Sequence, residues 1–184
     1  MLGRIDGDLS LGAALGATFA PRSPRLTLDV RARYLSTAGA FVTYEDATSF
    51  SLSSAPSRVV SFGVEMRPLF LPRVFTGRDF GGNRLDLFVD SFAFELGVAF
   101  LERPGSAMTT TPAAKLGIGM EFPLFSKASG LFISAHGGAL VSGQALSSAP
   151  VKDANDRSLY GFVGIAWHQV FASGLIDAGD TAPE

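Results

Sequence analysis

Ser134, His136 and His168 are the residues of this 184-residue chain whose types best suit chemistry. A serine becomes a nucleophile when a base lies within hydrogen-bond reach of its hydroxyl and a third group orients that base. The periodicity places Ser134 and His168 on neighbouring strands, both facing inward, with Glu121 nearby as the third group. Against catalysis stands the lack of a Gly-x-Ser-x-Gly elbow and of an oxyanion-hole motif. The preferred reading is that the two histidines fill an interior, and that the chain is not an enzyme.

A second constellation is charged. Asp29, Arg31, Arg33, Glu65, Arg67, Glu95, Lys115 and Glu121 all fall on the polar phase of alternating segments. Buried charges need partners. Such a set would line a selective pore or small-ligand site, or close an interior with salt bridges. An eight-stranded interior is only wide enough for side chains, which favours the salt-bridge plug. Tyr44-Glu45-Asp46 and Asp153–Asp156 read as solvated loop charge with some capacity for a cation. With no cysteine, thiolate metal sites and disulfides are excluded, and neither a cofactor nor a metal is expected.

The elements that carry these residues announce themselves by a period of two, the signature of a strand with one apolar and one polar face. In Ile5–Phe19 the odd positions are mostly apolar, and in Leu26–Tyr34 the even ones are. Strands are expected at about 4–19, 25–36, 58–67, 84–101, 112–122, 131–141 and 157–171. A Pro-rich turn at 20–24 joins the first two. Thr37 to Ser57 reads as a polar loop with a possible strand extension near Ala40–Tyr44. Residues 73–83, 102–111, 123–130 and 142–156 read as turns or loops, and 172–184 as a polar tail. Within 84–101 the apolar phase flips from odd (Leu85, Leu87, Val89) to even (Phe92, Phe94, Leu96). A β-bulge at Asp90-Ser91 would produce that flip. A helical turn there, or a turn splitting the segment into two strands, are the alternatives.

Composition narrows the class. Hydrophobic residues make up 47% and charged residues 17%, below the usual quarter of charge, and mean hydropathy is +0.28. No stretch approaches the ~18 apolar residues that would cross a bilayer as a helix. Apolarity spread over short alternating segments is what a membrane barrel requires. The net charge of −2 offers no footprint for nucleic acid. Phe19, Tyr34, Phe122, Trp167 and Phe171 lie near strand ends and read as an aromatic belt at a membrane interface.

The architecture resembles small bacterial outer-membrane β-barrel proteins of the OmpA/OmpX type, over most of 4–171. The segment Leu159-x-Gly161-x-Val163-x-Ile165-x-Trp167-x-Gln169-x-Phe171 is similar to the C-terminal signal by which such barrels are recognised for insertion. Gly119-Met120-Glu121-Phe122-Pro123-Leu124 looks like strand ends in uncharacterised bacterial barrels. The Ser–His pair is similar to those of outer-membrane lipid A deacylases and phospholipases. The resemblance implies an outer-membrane location in a Gram-negative cell envelope, with the lipid bilayer as partner and the barrel-assembly machinery needed for insertion.

The expectation is therefore one domain over 1–171, an all-β, antiparallel up-and-down transmembrane barrel with seven strands visible. Short connections after strands 1, 3 and 5 place the start of strand 1 outside. An even strand count then calls for an eighth strand upstream of Met1. No signal peptide precedes the first strand, as in a mature chain with an added Met or one cut upstream. The role expected is structural, adhesive or surface-interacting, with loops 37–57, 102–111 and 142–156 outside. The rivals are a soluble lipocalin-like lipid carrier and an outer-membrane lipid hydrolase using Ser134 and His168. Alternation has no sign: a carrier would bury its apolar face and a membrane barrel would expose it.

Overall fold

Eight antiparallel strands close on themselves in chain order. They are β1 (Leu9–Ala20), β2 (Ser23–Tyr34), β3 (Ala38–Ala47), β4 (Arg58–Met66), β5 (Ala93–Glu102), β6 (Ala113–Pro123), β7 (Gly130–Val141) and β8 (Arg157–Phe171). A helix, α1 (Asn83–Asp90), lies between β4 and β5. The computed structural model describes residues 8–20, 23–49, 56–70, 72, 76, 82–102, 105, 107–108, 112–142 and 157–172. The tail beyond 172 and Asp153–Asp156 lie outside the described residues.

Two sequence expectations are corrected. The eighth strand is not upstream of Met1 but inside the supposed loop 37–57, as β3. β1 pairs with β2 on one side and β8 on the other, which closes the barrel with no gap for a further strand. β3 is hidden in the sequence because its turn, Leu35-Ser36-Thr37, carries no Gly, Asn, Asp or Pro. Leu35 and Ser36 both adopt positive φ (48° and 53°), the tight mirror-image turn that ordinarily selects Asn or Gly. The Thr37 amide closes it onto the Tyr34 carbonyl at 3.1 Å. With β3 in place the alternation of connections shifts. Turns 35–37 and 124–129 and the segment 67–92 share one end with the start of β1 and the close of β8. β1, β3, β5 and β7 finish at the other end. The expected strand 84–101 is likewise not bulged: its first half is α1. Ser91 fixes the changeover, its Oγ donating to the Phe88 carbonyl (2.6 Å) and also meeting the Glu121 carbonyl and amide at 2.9 and 2.8 Å.

The structure supplies the sign that alternation lacks. Leu15 (59% exposed), Ile165 (62%) and their neighbours on every strand point outward. Inward point Arg25, Thr27, Asp29, Arg31 and Arg33 from β2 alone, all buried. Apolar side chains in the interior are few. Val59, Ala99, Ala113, Leu140 and Tyr160 form one cluster, and Ala14, Phe132, Phe162 and Ala166 another. This is the inverse of a soluble carrier.

Paired glycines let the wall curve. Gly16 faces Gly164 across the β1–β8 seam, Gly63 faces Gly97, and Gly117 faces Gly138. A Cβ on Gly16 would press on the Val163 carbonyl and come within 2.5 Å of the Gly164 Cα. Gly16→Val is therefore expected to destabilise the closing seam by about 1–3 kcal/mol through overpacking. Gly161→Ala, whose Cβ meets nothing within 4 Å, is expected to be tolerated. Urea unfolding of the two variants in detergent checks both.

Candidate functional site: a charged lumen

Every second residue of a barrel strand points inward, so side chains separated by two positions share the lumen. On the strands and at Arg67, just after β4, five cations are buried: Arg25, Arg31, Arg33, Arg67 and Lys115. Five buried carboxylates oppose them: Asp29, Glu45, Glu65, Glu95 and Glu121. Charge of one sign is thus matched by the other without an imported ion.

Arg31 is the hub. It grips Asp29, two residues away on its own strand, through Nε (2.6 Å) and Nη2 (2.9 Å). Its Nη1 reaches across the lumen to Glu65 on β4 (2.5 Å) and Glu95 on β5 (2.7 Å). Arg33 continues the chain. It donates through Nε to Glu65, through Nη2 to Glu121 on β6 (2.8 Å), and through Nη1 to His168 Nδ1 on β8 (3.0 Å). Arg67 adds a contact to the second oxygen of Glu121 at 2.7 Å. Charge-assisted and forked contacts of this kind are the strong ones.

Nearer the opposite end a smaller group stands apart from this chain. Arg25 donates to Glu45 at 2.7 Å. Lys115 donates to Thr43 Oγ1 at 3.2 Å and lies over the rings of Phe41 and Tyr160, 5.3 and 4.9 Å from their centroids. A cation held over two ring faces is stabilised by their quadrupoles. Two voids of about 10 Å³ flank the network, each with room for about one water.

All eight charged residues singled out in the sequence lie in this lumen. Sequence reasoning missed Arg25 and Glu45. Arg25 was legible, since it shares the odd phase of Thr27, Asp29, Arg31 and Arg33. Glu45 was placed in a loop because β3 went unrecognised. Its neighbours Tyr44 and Asp46 point outward, Asp46 toward Arg58 at 3.6 Å, so the three do not converge on a cation. Among the described residues no His, Asp and Glu side chains group as a metal site.

The hydroxyl and imidazole groups are arranged differently from the expectation. Ser134 pairs in register with Gly164, whereas His168 pairs with Gly130, four residues and two pleat repeats further along. Ser134 meets His136 instead: Oγ to Nε2 is 2.6 Å, and His136 Nδ1 is 2.7 Å from Glu95 Oε1. The three resemble a nucleophile, base and orienting acid in spacing. Ser134 is 1% exposed and lines neither of the cavities that His136 borders. Each ring sits in the notch left by a cross-strand glycine, His136 against Gly119 and His168 against Gly12.

The His168 contacts fix its tautomer. A guanidinium only donates, so Nδ1 must accept from Arg33. The proton resides on Nε2, 3.2 Å from Glu121 Oε1. Nitrogen-15 NMR is expected to show His168 Nδ1 as an unprotonated ring nitrogen. A protonated Nδ1 would mean that the Arg33 contact is not made.

The five aromatics all lie on the outer wall. Tyr34, Phe122 and Phe171 end their strands at the terminus-bearing end, with Trp167 four residues before Phe171. Phe19 lies at the other end of the barrel.

No protein-family model matches the chain, and no curated protein matches it either. Among solved structures it is similar to the crystal structure of Neisserial surface protein A (NspA). That similarity has a TM-score of 0.43 and 12% identity, and spans 89% of this chain and 96% of the other.

Proposed function

We propose that this protein is an integral β-barrel of a Gram-negative outer membrane, non-catalytic and closed to solutes, whose role is structural or surface-interacting. The observation that carries this reading is the reversed sheet: arginines and glutamates inside, leucines, valines and phenylalanines outside. In water such a wall would leave a large apolar area exposed while burying ions; against lipid both placements are favourable. The lipocalin-like alternative needs the opposite arrangement.

Outer-membrane barrels keep short turns on the periplasmic side and longer loops outside. The end carrying turns 35–37 and 124–129 is then periplasmic, and 48–57, 103–112 and 142–156 face the exterior, where adhesion or surface contact would occur. Tyr34, Phe122, Trp167 and Phe171 form the inner aromatic belt, with Phe19 on the outer one. The bilayer is the main partner, with the barrel-assembly machinery engaged during insertion.

The test is partition and migration. Expressed with a signal peptide, the chain should appear in the outer-membrane fraction as a band whose gel migration changes on boiling. A stable monomer in buffer without detergent would overturn the reading.

Lipid hydrolysis is a second reading with one observation behind it, the Ser134–His136–Glu95 spacing. Burial of Ser134 argues that no ester reaches it. Wild type and Ser134→Ala are expected to be equally inert toward p-nitrophenyl acyl esters and toward a fluorophosphonate label. Labelling of wild type that Ser134→Ala abolishes would establish the hydrolase.

A further inference from the structure

Helix α1 buries its acidic side chains. Asp86, Leu87 and Asp90 occupy one face, buried toward the barrel. At 100° per residue, Leu85, Phe88 and Val89 fall on the opposite face; Leu85 is 47% exposed and the other two half-buried. A helix beside a barrel mouth in water would turn its carboxylates out and its leucines in. This one buries both of its carboxylates beside Leu87 and turns Leu85 out.

The apolar face also continues the wall. The Phe88 ring packs edge-on against Phe122, centroids 6.0 Å apart, and Phe92 does the same with Phe94 at 5.3 Å. Phe122 and Phe94 are both outward residues of the barrel. Ser91 holds the end of α1 to β6 through both backbone groups of Glu121. The helix is therefore fixed at the outer rim, flush with the apolar band. Arg84, exposed beside Leu85, is placed to extend toward a phosphate while its stem stays on the apolar side.

We infer that the Leu85–Phe88–Val89 face of α1 is seated in the bilayer, at the headgroup–acyl boundary of the leaflet next to the barrel's terminus-bearing end. The occupant of this face is lipid. A helix with one apolar face lies about 5–10 Å into that boundary, which matches a helix tethered level with the strand-end aromatics. The inference rests on the membrane reading above, and the experiment separates the two.

Trp167 is the chain's one tryptophan and lies on the outer wall, so it reports on the barrel itself. Leu85→Trp in a Trp167→Phe background reports on the helix. Both are reconstituted as the full chain into phosphatidylcholine vesicles whose acyl chains carry bromine at a shallow or a deep position. Both emissions are expected to be quenched, with the shallow bromine the more effective at the helix. Quenching of Trp167 without quenching at the helix would overturn the inference and leave the membrane barrel standing. An unquenched helix tryptophan with blue-shifted emission would mean that protein, such as a second copy, covers the face, and would overturn it equally. Failure to quench Trp167 would overturn the membrane reading and the inference together. Should Leu85→Trp not fold, Phe88→Trp makes the same measurement from the same face.

Discussion

Replacing Arg31 with alanine is expected to cost about 3–5 kcal/mol of stability, the cost of leaving buried charge uncompensated. Three carboxylates depend on this guanidinium: Asp29, Glu65 and Glu95, at 2.6, 2.5 and 2.7 Å. Arg33 still serves Glu65, but Asp29 loses its only charge-assisted hydrogen bonds among the described residues. Arg31→Lys should recover only part of the loss, since a single ammonium cannot fork onto Asp29 and also reach β4 and β5. Urea titration of the folded, detergent-solubilised barrel measures both. A wild-type midpoint for Arg31→Ala would mean that the lumen network is incidental to stability.

Leu15→Arg is expected to act from the opposite side of the same wall. Leu15 sits mid-strand in β1, flanked by Leu28 of β2 and Ile165 of β8, and all three face outward. An arginine on the lipid face near the bilayer midplane costs about 2–4 kcal/mol. On a protein dissolved in water the same change would be neutral, and would aid solubility. The sign of the effect therefore separates the two settings. Refolding into vesicles, compared between wild type and variant, should show the loss. Unimpaired refolding and improved solubility without detergent would contradict a lipid-facing wall.

How far the sequence could be read depends on which residues are asked. Arg31, Arg33, Glu65 and Glu121 could be placed on a common face because strand period is independent of everything else in the fold. Their partners could not be named, since Arg31 reaches β4 and β5 rather than the strands beside it, and crossing distances depend on closure. β3 was legible only as a strand extension near Ala40–Tyr44, because its boundary is written in backbone torsion at Leu35 and Ser36 rather than in residue type. α1 was available only as the alternative to a bulge, because Leu85, Leu87 and Val89 satisfy a period of two as well as they sit on a short helix. Ser134 was matched with the wrong histidine for a related reason. The register is set by the turn 124–129, whose length alone does not fix which residues stand opposite, while the i+2 neighbour His136 was the nearer candidate throughout.

The lumen contacts also say something about the order of assembly. Arg33 meets Glu121 88 positions later in the chain and His168 135 positions later, and Arg31 meets Glu95 64 positions later. Contacts so remote in sequence are made only after most of the loop-closure entropy has been lost. A nascent hairpin of β1 and β2 thus carries three arginines whose carboxylate partners Glu45, Glu65, Glu95 and Glu121 lie on later strands. β3, β4, β5 and β6 each supply one of these carboxylates, and β8 brings the histidine that completes the Arg33 shell while pairing with β1 to shut the seam. The lumen carboxylates are all in place by β6, whereas the last free strand edge disappears only when β8 pairs with β1, so closure of the seam follows assembly of the charged network.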